Sequence, residues 1–168
     1  MSKKRVHIDD MFRFVTKFDH EIGGHYVRDF FYHSVDSQTN ARNGRQFVYL
    51  PFDTKTRVWH YHPRAYGMWP SLEDLTAHTN FNTRSLIFTD IGVWVMNIIP
   101  EIEKQPQLMH VTKHLWEELH RYMLRYHCSL PDDVATSSFK TFARAMRNNG
   151  YDLKFITQSE FVRSKSPI

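Results

Sequence analysis

Residues 57–62 form a short run in which His60 and His62 alternate with Trp59 and Tyr61, and Pro63 closes it. Proline has no N–H to give to a strand ladder, so a strand must stop there. Side chains two apart on a strand share a face. The run therefore predicts a strand that sends two imidazoles to one side and two aromatic rings into packing on the other. The chain must then turn through residues 63–70 and re-enter at Ser71. Ser71-x-x-Asp74 is a helix-start pattern close to the capping box, with Asp where that motif usually has Glu or Gln. Asp74, in the first turn, can swing a carboxylate oxygen back toward the histidines. Two imidazoles and a carboxylate make three ligands of a tetrahedral zinc site, and an open fourth position is the mark of catalytic rather than structural zinc.

Hydrolysis at such a site needs a group to take a proton from water and deliver one to the leaving amine. A carboxylate beside the metal but not on it suits both tasks. Glu21, just ahead of Gly23 and Gly24, is the candidate, and Ser71 is a candidate hydroxyl donor to a developing oxyanion. The sequence has a single cysteine, Cys128, which excludes multi-cysteine zinc modules and internal disulfides. It suggests an intracellular, reducing setting.

The rest of the chain reads as mixed α and β. Helices are expected over residues 11–18, 71–78, 107–126 and 138–149. Strands are expected over residues 25–33, 45–52, 57–62 and 151–157, with a hairpin of residues 85–89 and 92–99. Residues 1–8 read as a loose lead-in, 34–44 as a polar loop, 53–56 as a turn, 131–133 as a break and 164–168 as a tail. The helix over 107–126 carries Leu108, Val111, Leu115, Leu119, Tyr122, Met123 and Tyr126 at intervals of three or four. With 168 residues, 41% of them hydrophobic, the chain suits one core of ordinary size. Residues 91–99, the most apolar run, are too short and too interrupted to span a bilayer, and Lys3-Lys4-Arg5 leads into no apolar segment of a secretory signal. The formal net charge is +4, and the C-terminal basic residues Arg144, Arg147, Lys154, Arg163 and Lys165 are scattered, so nucleic-acid binding is not expected.

Other polar groups have plainer readings. His20 and His25 flank Glu21 and read as partly exposed residues. His78, one turn beyond Asp74, is a candidate partner of the ligands. His110 and His114 share a helix face with Glu117, Glu118 and His120. Val111 breaks the His-Glu-x-x-His pattern, so a solvated face is expected there. Cys128 beside His127 reads as a packing cysteine.

Glu21-Ile-Gly-Gly, His60-x-His62-Pro63 and Pro70-Ser71-x-x-Asp74 together resemble the JAMM (MPN-plus) metalloprotease signature, most closely its compact prokaryotic-type branch. The resemblance covers roughly residues 8–100. It implies an α+β fold of three layers, α/β/α, related to the cytidine-deaminase architecture. It implies a JAMM/MPN-like core over residues 1–100, followed by a C-terminal helical extension over 101–168. It also implies one Zn2+ per chain on His60, His62 and Asp74, with Glu21 as general acid/base and Ser71 as oxyanion donor. The activity implied is cleavage of a peptide or isopeptide bond, often at the C-terminus of ubiquitin or a ubiquitin-like protein. The alternative is a non-catalytic MPN-type scaffold that keeps its metal, with Trp69 exposed at a protein interface. The loop between His62 and Ser71 is one residue longer than the family's usual spacing, which makes Glu73 a competing ligand. The short stretch after Asp74 leaves no room for the extra-zinc insertion of the lysine-63-specific deubiquitinases. In such an enzyme an extended substrate tail would add to a strand edge, with residues 27–31 or 57–61 as candidates.

Overall fold

The computed structural model describes residues 3–39, 46–47, 57–126 and 129–164. The chain is mixed α and β, as the sequence suggests. Its strands are β1 (Lys4–His7), β2 (Ile22–Val27), β3 (Phe30–Asp36), β4 (Gln38–Thr39), β5 (Gln46–Phe47), β6 (Arg57–Tyr61), β7 (Ser85–Phe88), β8 (Gly92–Met96) and β9 (Leu153–Thr157). Its α-helices are α1 (Met11–Val15), α2 (Leu72–Phe81), α3 (Leu108–Tyr126), α4 (Asp132–Asn148) and α5 (Gln158–Arg163). Seven strands form one sheet in the order β1-β3-β2-β6-β7-β8-β9, and β4 and β5 pair separately. Among the described strands only β6 and β7 pair in parallel, and α2 crosses over between them. A parallel pair needs such a crossover, whereas a tight turn serves the β7–β8 hairpin.

Alternation along the central strands divides the core in two. Trp59, Tyr61, Leu86, Phe88, Val93 and Val95 face α1 and α5, where they meet Phe12 and Phe161. Ile87, Trp94 and Met96 face the other way, toward Leu75 of α2, Leu119 and Met123 of α3, and Phe139, Phe142 and Met146 of α4. Helices therefore cover both faces. His60 is the Cα partner of Ile87 in the parallel pair, so it belongs to the α2 side, and Trp59 and Tyr61 pack on the opposite side. The stretch after residue 100 shares this core: α3 and α4 lie on it, and β9 extends the sheet beside β8.

Several elements differ from expectation. Residues 25–33 are not one strand but the turn of the β2–β3 hairpin, reversed at Arg28 with φ 54°. Arginine seldom adopts that conformation, so Asp29, the turn former beside it, is a weak signal on its own. β1 occupies the expected lead-in and pairs with β3, which itself extends into the expected loop. The first helix ends at Val15. α4 begins at Asp132, because Pro131 sits at its N-cap and two aspartates fill its first turn. α5 follows β9 behind a Thr157–Glu160 capping box. Neither proposed substrate edge is free: β2, β3 and β6 each have neighbours on both sides, and the sheet ends in β1 and β9. Most of the strand expected at 45–52, the turn at 53–56, Cys128 and the tail beyond Ser164 lie outside the described residues. No described helix is long and apolar enough to cross a membrane.

Candidate metal centre

β6 delivers His60 at its penultimate position, and His62 follows directly on the same face. The backbone N–H of His62 still reaches the carbonyl of Phe88 at 2.9 Å, so the parallel pairing holds the second histidine as well as the first. On the other side of β6, Gly23 pairs with His60 and Gly24 with Trp59. Continuing that antiparallel register by two residues brings Glu21 opposite His62, which explains the spacing between the carboxylate and the glycine pair. Gly24 is needed for close approach, since a Cβ there would collide with the carbonyl oxygen of Tyr32 on β3.

α2 supplies the third group. Ser71 is its N-cap: the backbone N–H of Asp74 donates to Ser71 Oγ at 3.0 Å, and that of Ser71 donates to Asp74 Oδ2 at 2.8 Å. This capping box uses Asp in the place of Glu or Gln and fixes the carboxylate relative to the helix start. His60, His62 and Asp74 form a group that can hold a metal ion, each offering one ligand atom, with all such atoms within 4.8 Å of one another. Glu73, the competing candidate, is exposed and outside that group.

The separations test the fit. His60 Nε2 lies 3.0 Å from His62 Nε2 and 3.2 Å from Asp74 Oδ1, and His62 Nε2 lies 3.3 Å from Asp74 Oδ2. Ligands about 2.0–2.1 Å from a tetrahedral zinc stand about 3.3 Å apart. All three side chains are largely buried, at 4%, 6% and 19% exposure. His62 Nδ1 is 3.0 Å from the carbonyl oxygen of Trp69. A carbonyl only accepts, so Nδ1 carries a proton and Nε2 of the neutral ring turns a lone pair inward. That lone pair faces Asp74 and, at 3.7 Å, Glu21 Oε1. A lone pair converging with two carboxylates calls for a cation at their centre, either a proton or a metal.

The metal-free electrostatics agree. Burial opposes charge on His62, but Asp74, then Glu21 and the Trp69 carbonyl, outweigh it and push the imidazole up to about 9. Burial likewise opposes charge on Asp74, and the two histidines overcome it, holding the carboxyl well below the usual range. His60 Nδ1 is buried without a hydrogen-bond partner among the described residues.

The remaining candidates lie elsewhere. His20 sits between Asp19, at 3.0 Å, and Asp36, at 3.4 Å, and is partly exposed. His25 stacks on Tyr32. His78 is buried and bonded at 2.7 Å to the hydroxyl of Tyr151, and burial pushes its imidazole down to about 4. His110, His114, Glu117 and Glu118 lie on the exposed face of α3. His120 does not share that solvated face. It is half-buried, stacks on Trp116 at 4.3 Å and stands 3.1 Å from the indole nitrogen of Trp69. Trp69 in turn is only 7% exposed and belongs to the core, not to an open interface. Missing from the expected stripe of α3 is Trp116, whose indole donates to the carbonyl of Pro70 at 2.8 Å. Tyr122 and Tyr126, expected in that stripe, are exposed. Comparison with protein-family models, with curated proteins and with solved structures found no match for this chain.

Proposed function

We propose that this chain is a zinc-dependent hydrolase of peptide or isopeptide bonds, built on a JAMM/MPN-type fold. The observation that carries the reading is a buried group of two imidazoles and one carboxylate with a further carboxylate, Glu21, outside the group but 3.7 Å from one of its members. Two imidazoles and one carboxylate are a ligand set that zinc takes at catalytic sites, and separations of 3.0–3.3 Å accommodate it. Helices on both faces of the sheet, and a ligand-bearing strand followed by a crossover helix, support the three-layer architecture of that family.

When bound, zinc supplies a Lewis acid that polarises the scissile carbonyl and brings the pKa of water to about 7. The chain's own residues do the rest. Glu21, 13% exposed, accepts a proton from the attacking water and returns it to the leaving amine. Ser71 Oγ is already an acceptor from the Asp74 backbone, so its O–H can donate to the oxygen that gains charge. The capping box and the Trp69 carbonyl keep Asp74 and His62 oriented through the cycle. The substrate class is a protein or peptide tail, such as the C-terminus of a ubiquitin-like modifier.

Glu21→Gln tests the catalytic role. The variant should bind one zinc per chain and melt near the parent, yet lose at least a hundredfold in cleavage of isopeptide- or peptide-linked ubiquitin-like substrates. A parent that binds zinc but shows the same inert behaviour as the variant would favour a metal-keeping scaffold. A parent that binds no zinc would remove the proposal altogether.

A further inference from the structure

Residues 68–70, the last of the loop between His62 and Ser71, are held by three indoles. Trp94 Nε1, from β8, donates to the carbonyl of Met68 at 2.8 Å. Trp116 Nε1, from α3, donates to the carbonyl of Pro70 at 2.8 Å. The indole of Trp69 itself donates to Nδ1 of His120 at 3.1 Å, and His120 lies flat against Trp116, with 15° between the rings. The carbonyl between these two anchors, that of Trp69, is the one that meets His62 Nδ1. At the start of the same loop Arg64 reaches Asp132 of α4 at 2.9 Å. Gly67, with φ 99°, turns the chain under the ring of Trp69.

A carbonyl that fixes a ligand's ring is useful only if the carbonyl is itself fixed. Residues 68–70 belong to no strand or helix. The three hydrogen bonds are the local substitute. They come from β8 and α3, so the stretch after residue 100 reaches the metal group through Trp116 and His120.

We propose that Trp94, Trp69 and Trp116 are positioning residues of the metal centre, which hold the Trp69 carbonyl so that His62 presents its Nε2 lone pair to the ion. The inference rests on the metal-centre reading but not on catalysis.

The test uses the full chain and zinc alone. Trp116→Phe keeps an aromatic ring at this position and removes the indole N–H together with the rest of the pyrrole ring, so a packing control is needed beside it. Trp94→Phe does the same at the other anchor and serves if the first variant fails to fold. Phe139→Leu is the control, since Phe139 is fully buried beside the Trp94 ring and makes no polar contact with the loop. Zinc affinity is read by chelator competition, and the ligand field by the visible spectrum of the cobalt(II) form. Loss of a polar partner behind a metal ligand typically weakens binding about 10- to 100-fold. Each indole variant should therefore lose about tenfold or more in zinc affinity and shift the cobalt bands, whereas Phe139→Leu should lose thermal stability and leave both unchanged. Equal zinc affinity and unchanged cobalt bands in both indole variants would overturn the positioning role while leaving the centre intact. A parent that takes up neither zinc nor cobalt would overturn the centre itself, and the parent alone reveals that.

Discussion

Zinc binding should release about one proton from His62 at neutral pH. In the metal-free chain Asp74, Glu21 and the Trp69 carbonyl hold that imidazole protonated up to about pH 9, against an ordinary value of 6.5. At about 1.4 kcal/mol per unit, the proton is worth about 3 kcal/mol to the metal-free fold. The folded pKa lies above the unfolded one, so this stability is complete below about pH 6.5 and is lost as pH rises through 9. The metal needs the same lone pair. Its apparent affinity should therefore rise about tenfold per pH unit between pH 7 and 9, about a hundredfold in all, and then level off. Asp74 adds no slope there, because it is already ionised far below that window. Isothermal titration of zinc into metal-free protein, in two buffers of different ionisation enthalpy, counts the protons directly. Stoichiometric zinc binding at pH 7.5 with no proton released would refute the account of His62 as the cation that the carboxylates hold in place.

Two further outcomes follow from neighbouring residues. His78 is fully buried and its imidazole is pushed down to about 4, so its contribution is complete above pH 6.5 and fades as pH falls toward 4. Urea unfolding of metal-free protein should show a loss of about 3 kcal/mol across that window, and His78→Gln should flatten it; an unchanged slope in the variant would assign the loss elsewhere. Ser71→Ala removes one half of the capping box and should cost about 1 kcal/mol in thermal unfolding. The same variant should keep its zinc and slow turnover about a hundredfold, so full activity would exclude the hydroxyl as an oxyanion donor.

The parts of the site legible in the sequence are those set by short-range rules. Two-residue periodicity put His60 and His62 on one face, Pro63 marked where their strand gives way, and Ser71-x-x-Asp74 marked the cap that aims the carboxylate. Glu21 was legible through its distance from the glycine pair, though its place opposite His62 comes from the β2–β6 register, which no local pattern states. The indole clamp was not legible, because its three contacts join residues 26, 46 and 51 positions apart. The run of apolar residues on α3 suggested a stripe through Tyr122 and Tyr126, but the buried face runs through Leu108, Thr112, Leu119 and Met123, with Trp116 and His120 at its border. Tertiary packing chose the face, and helical spacing alone allowed either. The hairpin at Arg28 escaped for the opposite reason: Asp29 is a lone turn former between aromatic and β-branched residues, and strand pairing on both sides imposes the reversal.

The three groups proposed to hold the metal all come from residues 60–74, whereas Glu21, Trp94 and Trp116 arrive from distant segments. Closing so short a loop costs little chain entropy, so the ion has a partial site even on a chain that has not folded. Such a chain would be loaded but inert under the proposed mechanism, because Glu21, the carboxylate proposed to handle protons, joins the group only when the sheet assembles. Metal bound by the unfolded ensemble also subtracts from the stabilisation that the native affinity alone would give. The rise in melting temperature with added zinc should then level off at high concentration, and chelator titration in strong urea should find residual affinity that disappears with His60→Ala and His62→Ala together.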